Sequence, residues 1–272
     1  VTEMKAHIAA QMPELEQTLA LESEPITALI EAFAWREMIL RGRMNDVGRA
    51  NMLASATGAD LENLVALLGV SRLVVTQADP DASPPVEAVY EDDAALRQRA
   101  QMALEGFTTA GPAGAYEYHA RSASGLVADV AVASPSPGEV VVTILSHLGD
   151  GVPDAWLLGI VESALNDSEI RPLGSLLTVE PATLLPFAVE AVLHVAAGPD
   201  ASVVLDAARA AAVKYVASCR ALGATVAISG LHAALWQGGV TRIELISPES
   251  DVIAEQTFAP SCTEITLTRA EA

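Results

Sequence analysis

Apolar residues recur at helical spacing in the first quarter of the chain and switch to alternation further on. Ile26, Leu29, Ile30, Phe33 and Leu40 follow an i, i+3, i+4, i+7 pattern interrupted once, at Glu37, which predicts a helix from about Pro25 to Arg43. Pro25 suits a first helical turn, where its missing N–H costs nothing. Trp35, Met38 and Ile39 widen the apolar surface beyond a single stripe. A helix of that kind contacts something on two sides, as in an intersubunit bundle; an internal core helix accounts for the pattern equally well. On the bundle reading, the candidate partner-binding residues are Ile26, Leu29, Ile30, Phe33, Trp35 and Leu40. Helical patterning is also expected over Glu3 to Leu21, Asn45 to Ala56 and Asp60 to Leu68, the last stopping at Gly69.

The pattern then breaks. Asp79, Pro80, Asp81, Ser83, Pro84 and Pro85 cannot continue a helix and mark a linker or long surface loop. This divides the chain into a helical segment over 1–76, a linker over 77–90, and α+β modules over 91–185 and 186–272. Glu91, Asp92 and Asp93 stand before a helix at Ala94 to Leu104, where the helix dipole favours negative charge. Adjacent carboxylates lack the alternating spacing of a calcium loop.

An internal repeat supports the two modules. An offset of 113 (232 − 119) maps His119 onto His232, Gly125 onto Gly238 and Val127 onto Val240. It also maps Val130, Val132, Ser134 and Pro135 onto Ile243, Leu245, Ser247 and Pro248. Each copy reads as helix, glycine stop, alternating strand and Ser-Pro turn. Further strands are expected at Val140 to Leu145, Leu176 to Glu180, Phe187 to Val195 and Glu264 to Thr268, with helices at Pro153 to Leu165 and Ala201 to Cys219. Short strands with tight turns suit mostly antiparallel sheets with helices on one face. The expected fold class is therefore α+β: an N-terminal helical segment followed by two related small α/β modules.

Although 51% of the 272 residues are hydrophobic, no stretch is long enough for a membrane span. The richest, Leu184 to Ala197, is interrupted by Pro186, Glu190 and His194 and reads as a buried strand. No secretory signal opens the sequence. Val1 is not an initiator methionine and helical patterning begins at Glu3, so native sequence is expected before it. A net charge of −20 repels a phosphate backbone, which argues against nucleic acid and leaves solubility or a basic protein partner as its role. Cys219 and Cys262 are isolated, outside zinc and disulfide patterns, and are expected as free thiols.

No nucleophile elbow, zinc-binding helix motif, phosphate loop or dinucleotide fingerprint is present in the sequence. The strongest remaining cluster is His147, Asp150 and Asp154, where one imidazole and two carboxylates share a strand-to-helix loop; Gly149, Asp150, Gly151 and Pro153 are also ordinary turn residues, and Asp154 a helix start. His119 and His232 match across the repeat, but neither has a second ligand at helical spacing. No cofactor or metal is expected.

Several strings taken in order carry a family likeness. They are Arg43 to Ala50 leading into Ala56-Thr57-Gly58-Ala59-Asp60-Leu61, then Leu68-Gly69-Val70-Ser71-Arg72. Glu91-Asp92-Asp93 with Leu96-Arg97-Gln98-Arg99 follows, and then Ala110-Gly111-Pro112 with Tyr116. Ser134-Pro135, Arg171-Pro172-Leu173, Val240 and Ser247-Pro248 complete the set. Each is weak alone, but their order over nearly the whole chain resembles the baseplate J-like family of contractile-tailed phages and phage-derived tails. The family's N-terminal arm is the one departure. The resemblance implies a structural wedge and ring subunit of the tail baseplate, made in the bacterial host cytoplasm, and no enzyme. It implies a helical bundle with a second copy and a tail protein I-like subunit, and contacts with neighbouring wedges and lysozyme-like hub proteins. Neither nucleic acid nor membrane is an implied partner. The alternatives are a carbohydrate- or receptor-binding tail module, for which 4% aromatic residues offer few stacking platforms, and a hydrolase built from scattered carboxylates.

Overall fold

The computed structural model describes residues 1–107, 111–168, 170–172, 174–196 and 200–270. Ala110, Leu173 and Ala197, which the sequence reading used, lie outside them. The chain forms two compact units, Val1–Ser71 and Arg72–Ala272.

The first unit is helical. α1 (Thr2–Gln11) ends before Pro13, so the single helix expected over Glu3 to Leu21 is broken into α1, a 3-10 turn and the short α2 (Glu16–Leu19). α3 (Pro25–Ala50) runs for 26 residues, joining what the sequence suggested as two helices. α4 (Gly58–Ala66) follows. The interior is small: Leu19, Thr27, Ile30, Ala56, Leu61, Val65 and Val70 are buried, and Thr27 donates its hydroxyl to the Leu21 carbonyl at 2.9 Å.

The second unit opens with β1 (Val74–Thr76) and β2 (Val89–Tyr90), an antiparallel pair continued by a bridge between Asp79 and Val86. The stretch read as a linker is thus the outer part of a hairpin. Asp79 turns it by accepting the backbone N–H groups of Asp81 and Ala82. α5 (Asp93–Met102) is capped by Asp92, which accepts the Ala95 N–H. The other two acids beside it are also spoken for. Glu91 is buried against Arg99, which donates to both its carboxylate oxygens, and Leu73 N–H donates to Glu91 as well. Arg72 reaches the Glu91 carbonyl and the Asp93 carboxylate, each at 2.6 Å. This buried network fixes the base of the hairpin to the start of α5.

Two three-stranded mixed sheets follow. α6 (Ala113–Ala123) leads into β3 (Val127–Ala133), which pairs antiparallel with the central β4 (Glu139–Ser146). α7 (Ala155–Leu165) crosses over to β5 (Leu176–Pro181), parallel to β4. Tyr116 and Ala120 of α6 and Leu157, Val161 and Leu165 of α7 pack on Val130, Val142, Ile144 and Leu177. The second sheet is centred on β6 (Thr183–Val195), followed by α8 (Ala201–Ser218), the short β7 (Thr225–Val226), α9 (Ile228–Leu235) and β8 (Val240–Ser247). β9 (Val252–Ile253) pairs with β7, and β10 (Phe258–Arg269) closes the chain. β8 is antiparallel and β10 parallel to β6. Among the described residues, four of the six strand pairs are antiparallel, as expected for this α+β fold.

The repeat is visible in the fold. The matched segments form α6 with β3 and α9 with β8, each a helix followed by an edge strand antiparallel to its central strand. Their place in chain order differs. The first unit of helix and strand precedes its central strand, and the second follows its central strand and α8.

The sheets share one nearly continuous extended stretch from Leu176 to Val195, the edge of the first and the centre of the second. Ala182, between β5 and β6, donates to the Ile144 carbonyl at 2.9 Å, and Thr183 to that of Thr257 at 3.0 Å. Leu145, Ala182 and Ala259, with Ala128, Leu184 and Leu222, form a small core there. Asp129 ties it together, pairing with Arg121 through one oxygen and accepting Leu222 N–H through the other at 2.8 Å. Arg220 donates to the Gly149 carbonyl at 3.1 Å. Gly151 (φ +108°) adopts a backbone conformation that side-chain-bearing residues rarely take, and its missing β-carbon leaves room for the Arg220 guanidinium. Pro186 is tolerated in β6 because pairing with β8 begins only at Glu190.

Removing one member of a buried ion pair strands the other charge. Glu91→Ala is expected to destabilise the second unit by about 3–5 kcal/mol, read as a lower midpoint in denaturant melts.

Candidate subunit-docking surface

α3 begins where Glu24 adopts extended backbone and Pro25 takes the first helical position, and at 1.5 Å per residue it is about 39 Å long. Only Thr27 and Ile30 along it are buried. Of the six candidate docking residues, Ile30 therefore faces the unit's own interior and Ile26 is half-buried. The other four stand in solvent: Leu29, Phe33, Trp35 and Leu40 are 60, 62, 62 and 47% exposed. Sequence reasoning left out Met44 and Val47, which continue the same line at 70 and 61% exposure. It missed them because the helix was expected to stop near Arg43, although no proline interrupts the sequence before Ala50. Met38 and Ile39 are also exposed. Trp35 and Met38 line a groove of about 350 Å³ with Val1 and Met4 of the N-terminal region and Ala34 of α3. A run of exposed apolar side chains this long is unusual on a free surface and makes this face a candidate interaction site.

The candidate chemical residues do not assemble. Asp150 accepts the Val152 N–H at 3.1 Å, and Asp154 caps α7 by accepting Leu157 N–H at 2.8 Å. His147 is partly buried, which lowers its pKa; Asp92 opposes that shift, and Arg220 and Arg121 reinforce it. Burial also lowers the pKa of His119, against a hydrogen bond to the Gly106 backbone carbonyl, and its ring meets Tyr118 edge-on. His232 lies in α9. Among the described residues no three His, Cys, Asp or Glu side chains are grouped to hold a metal. Cys219 and Cys262 are free thiols packed around the same small core, and burial pushes the Cys262 thiol up. No helix among the described residues is long and apolar enough to cross a membrane.

A second groove of about 570 Å³ runs between α8 and the open edge of β10, lined in part by Val213, Arg220, Cys262 and Glu264. Its edge is partly closed, because Arg209 donates to the Ile265 carbonyl at 2.7 Å. What the chain offers is thus a rigid pair of modules and a long helix with an exposed apolar face, the equipment of a structural subunit of a larger assembly.

Comparison with known proteins agrees. Residues 22–79 match the baseplate J-like N-terminal domain and residues 108–181 the baseplate J-like central domain. Baseplate protein J of Escherichia phage P2 is 41% identical over 273 aligned positions, covering 97% of this chain and 89% of that protein. The chain belongs to the baseplate J-like family and is a structural component of a phage-type tail baseplate, located in the virion tail.

Gly42 and Gly48 both lie inside α3 with open space where a β-carbon would go. Gly42→Ala and Gly48→Ala are each expected to stabilise the helix by about 0.5–1 kcal/mol. The gain is checked by helix content on heating; a loss of stability at either position would contradict a solvated, continuous α3.

Proposed function

We propose that this chain is a wedge and ring scaffold of a contractile-tail baseplate, with α3 as the helix that docks neighbouring subunits and the α/β pair as the body that links wedges around the hub. The observation that carries the docking role is the exposed line Leu29, Phe33, Leu40, Met44 and Val47 on a helix whose own unit buries only Thr27 and Ile30. Burying each large side chain against a partner would contribute about 1.5–3 kcal/mol before the costs of association. Family resemblance suggests the occupants, a second copy and a tail protein I-like subunit at the helix, with neighbouring wedges and lysozyme-like hub proteins against the modules. In this reading the chain does no catalysis. It is made in the host cytoplasm, and its contacts break and re-form as the baseplate changes state.

Phe33→Asp tests the helix assignment. Phe33 is 62% exposed, so the variant should unfold within about 0.5 kcal/mol of the parent. Capture of neighbouring baseplate subunits co-expressed from the same gene cluster should fall at least roughly tenfold. Undiminished capture would remove α3 from the docking role.

A further inference from the structure

The apolar line on α3 has charged borders, and their sign selects what can lie on it. Ile30, Phe33, Glu37, Leu40, Met44 and Val47 alternate by four and three residues or the reverse, the a and d positions of a heptad. All but Ile30 are exposed. In that register Arg36 and Arg43 fall at the g position on one border and Arg41 at the e position on the other, and all three are exposed. Between Arg36 and Arg49 the helix holds Arg36, Arg41, Arg43 and Arg49 against Glu37 and Asp46, so it is locally +2 (4 − 2) on a chain of net −20. Arg41 donates to Glu37 at 2.6 Å, but the pair is solvent-exposed and offsets only part of the Arg41 charge, so all three arginines keep the borders positive.

We infer that this seam takes an acidic amphipathic helix from a different chain, one with carboxylates beside its own apolar stripe, and rejects a second copy of itself. The inference rests on the docking reading of α3. In a parallel self-pair, g positions face e positions, placing Arg36 opposite the other copy's Arg41. In an antiparallel pair centred between them, g faces g, which sets Arg36 against the other copy's Arg43 and Arg43 against its Arg36. Both arrangements bring arginines together over a seam that excludes water, where like charges are most costly. Carboxylates on the incoming helix turn each of these contacts into an attraction, and guanidinium groups accept them with two parallel hydrogen bonds. A second copy can still join the bundle elsewhere, for instance along the Trp35 and Met38 side.

The test uses the full chain and two labelled synthetic helical peptides with identical apolar heptads, one carrying Glu and the other Lys at every flanking position. Fluorescence anisotropy should show the Glu peptide binding at least roughly tenfold more tightly at low salt, with the gap narrowing as salt screens the flanks. The double variant R36E/R43E, checked for unchanged helix content, should reverse the preference. Sedimentation of the chain alone should show no self-association that Phe33→Asp removes. Equal binding of the two peptides, or a dimer lost in Phe33→Asp, would overturn the inference and leave α3 a docking helix. Failure of both peptides to bind, with subunit capture also unaffected by Phe33→Asp, would instead sink the docking reading itself.

Discussion

The second unit depends on a constraint of chain geometry: one extended stretch, Leu176 to Val195, must satisfy two sheets. As an edge strand it leaves one side of its ladder open, and as a central strand it is paired on both. The change falls at Ala182, where the hydrogen-bond partner passes from Ile144 to Thr257 within one residue. Every other junction contact forms around that handover. The Asp129 bridge, the Arg220 reach to Gly149 and the small apolar core supply what side chains add to a connection already made by backbone. A hinge between the modules would act against the Ala182 and Thr183 hydrogen bonds, the Asp129 bridge and the small apolar core together.

That rigidity complements the helical unit. The modules enclose apolar cores of their own while still showing scattered side chains such as Trp156 and Trp236, whereas α3 leaves most of its apolar residues in solvent along one helix. An exposed Phe33 or Met44 is a loss for an isolated chain and a gain only once a neighbour covers it. The two units thus differ in kind: one is built around apolar cores, and the other carries a long helix with little interior of its own.

Much of this was legible in the sequence, and the exceptions have physical reasons. Alternation and glycine stops located β3, β4, β6 and β8, because a half-buried strand cannot hide its period. The repeat was readable as a local unit of helix and strand. Its different place in each module was not, since the 113-residue offset records similarity and says nothing of which neighbour a strand pairs with. The hairpin over Val74 to Tyr90 was missed because its proline-rich arch looks like any loop, and only the Asp79–Val86 bridge and the Glu91 network hold it. At the docking face, Ile30 was counted with Phe33 because spacing alone does not say which edge of a wide stripe turns inward. Met44 and Val47 were left out because the pattern was divided into two helices near Arg43, whereas one helix runs on to Ala50.

Arg209 has a consequence beyond its own module. Wherever copies of this chain lie close together, an open strand such as β10 would find an identical strand at high local concentration. By laying a guanidinium across the Ile265 carbonyl, the chain spends one cation to spoil the template. Copies held side by side then have one less unsatisfied carbonyl on which to seed a growing ribbon of stacked sheets.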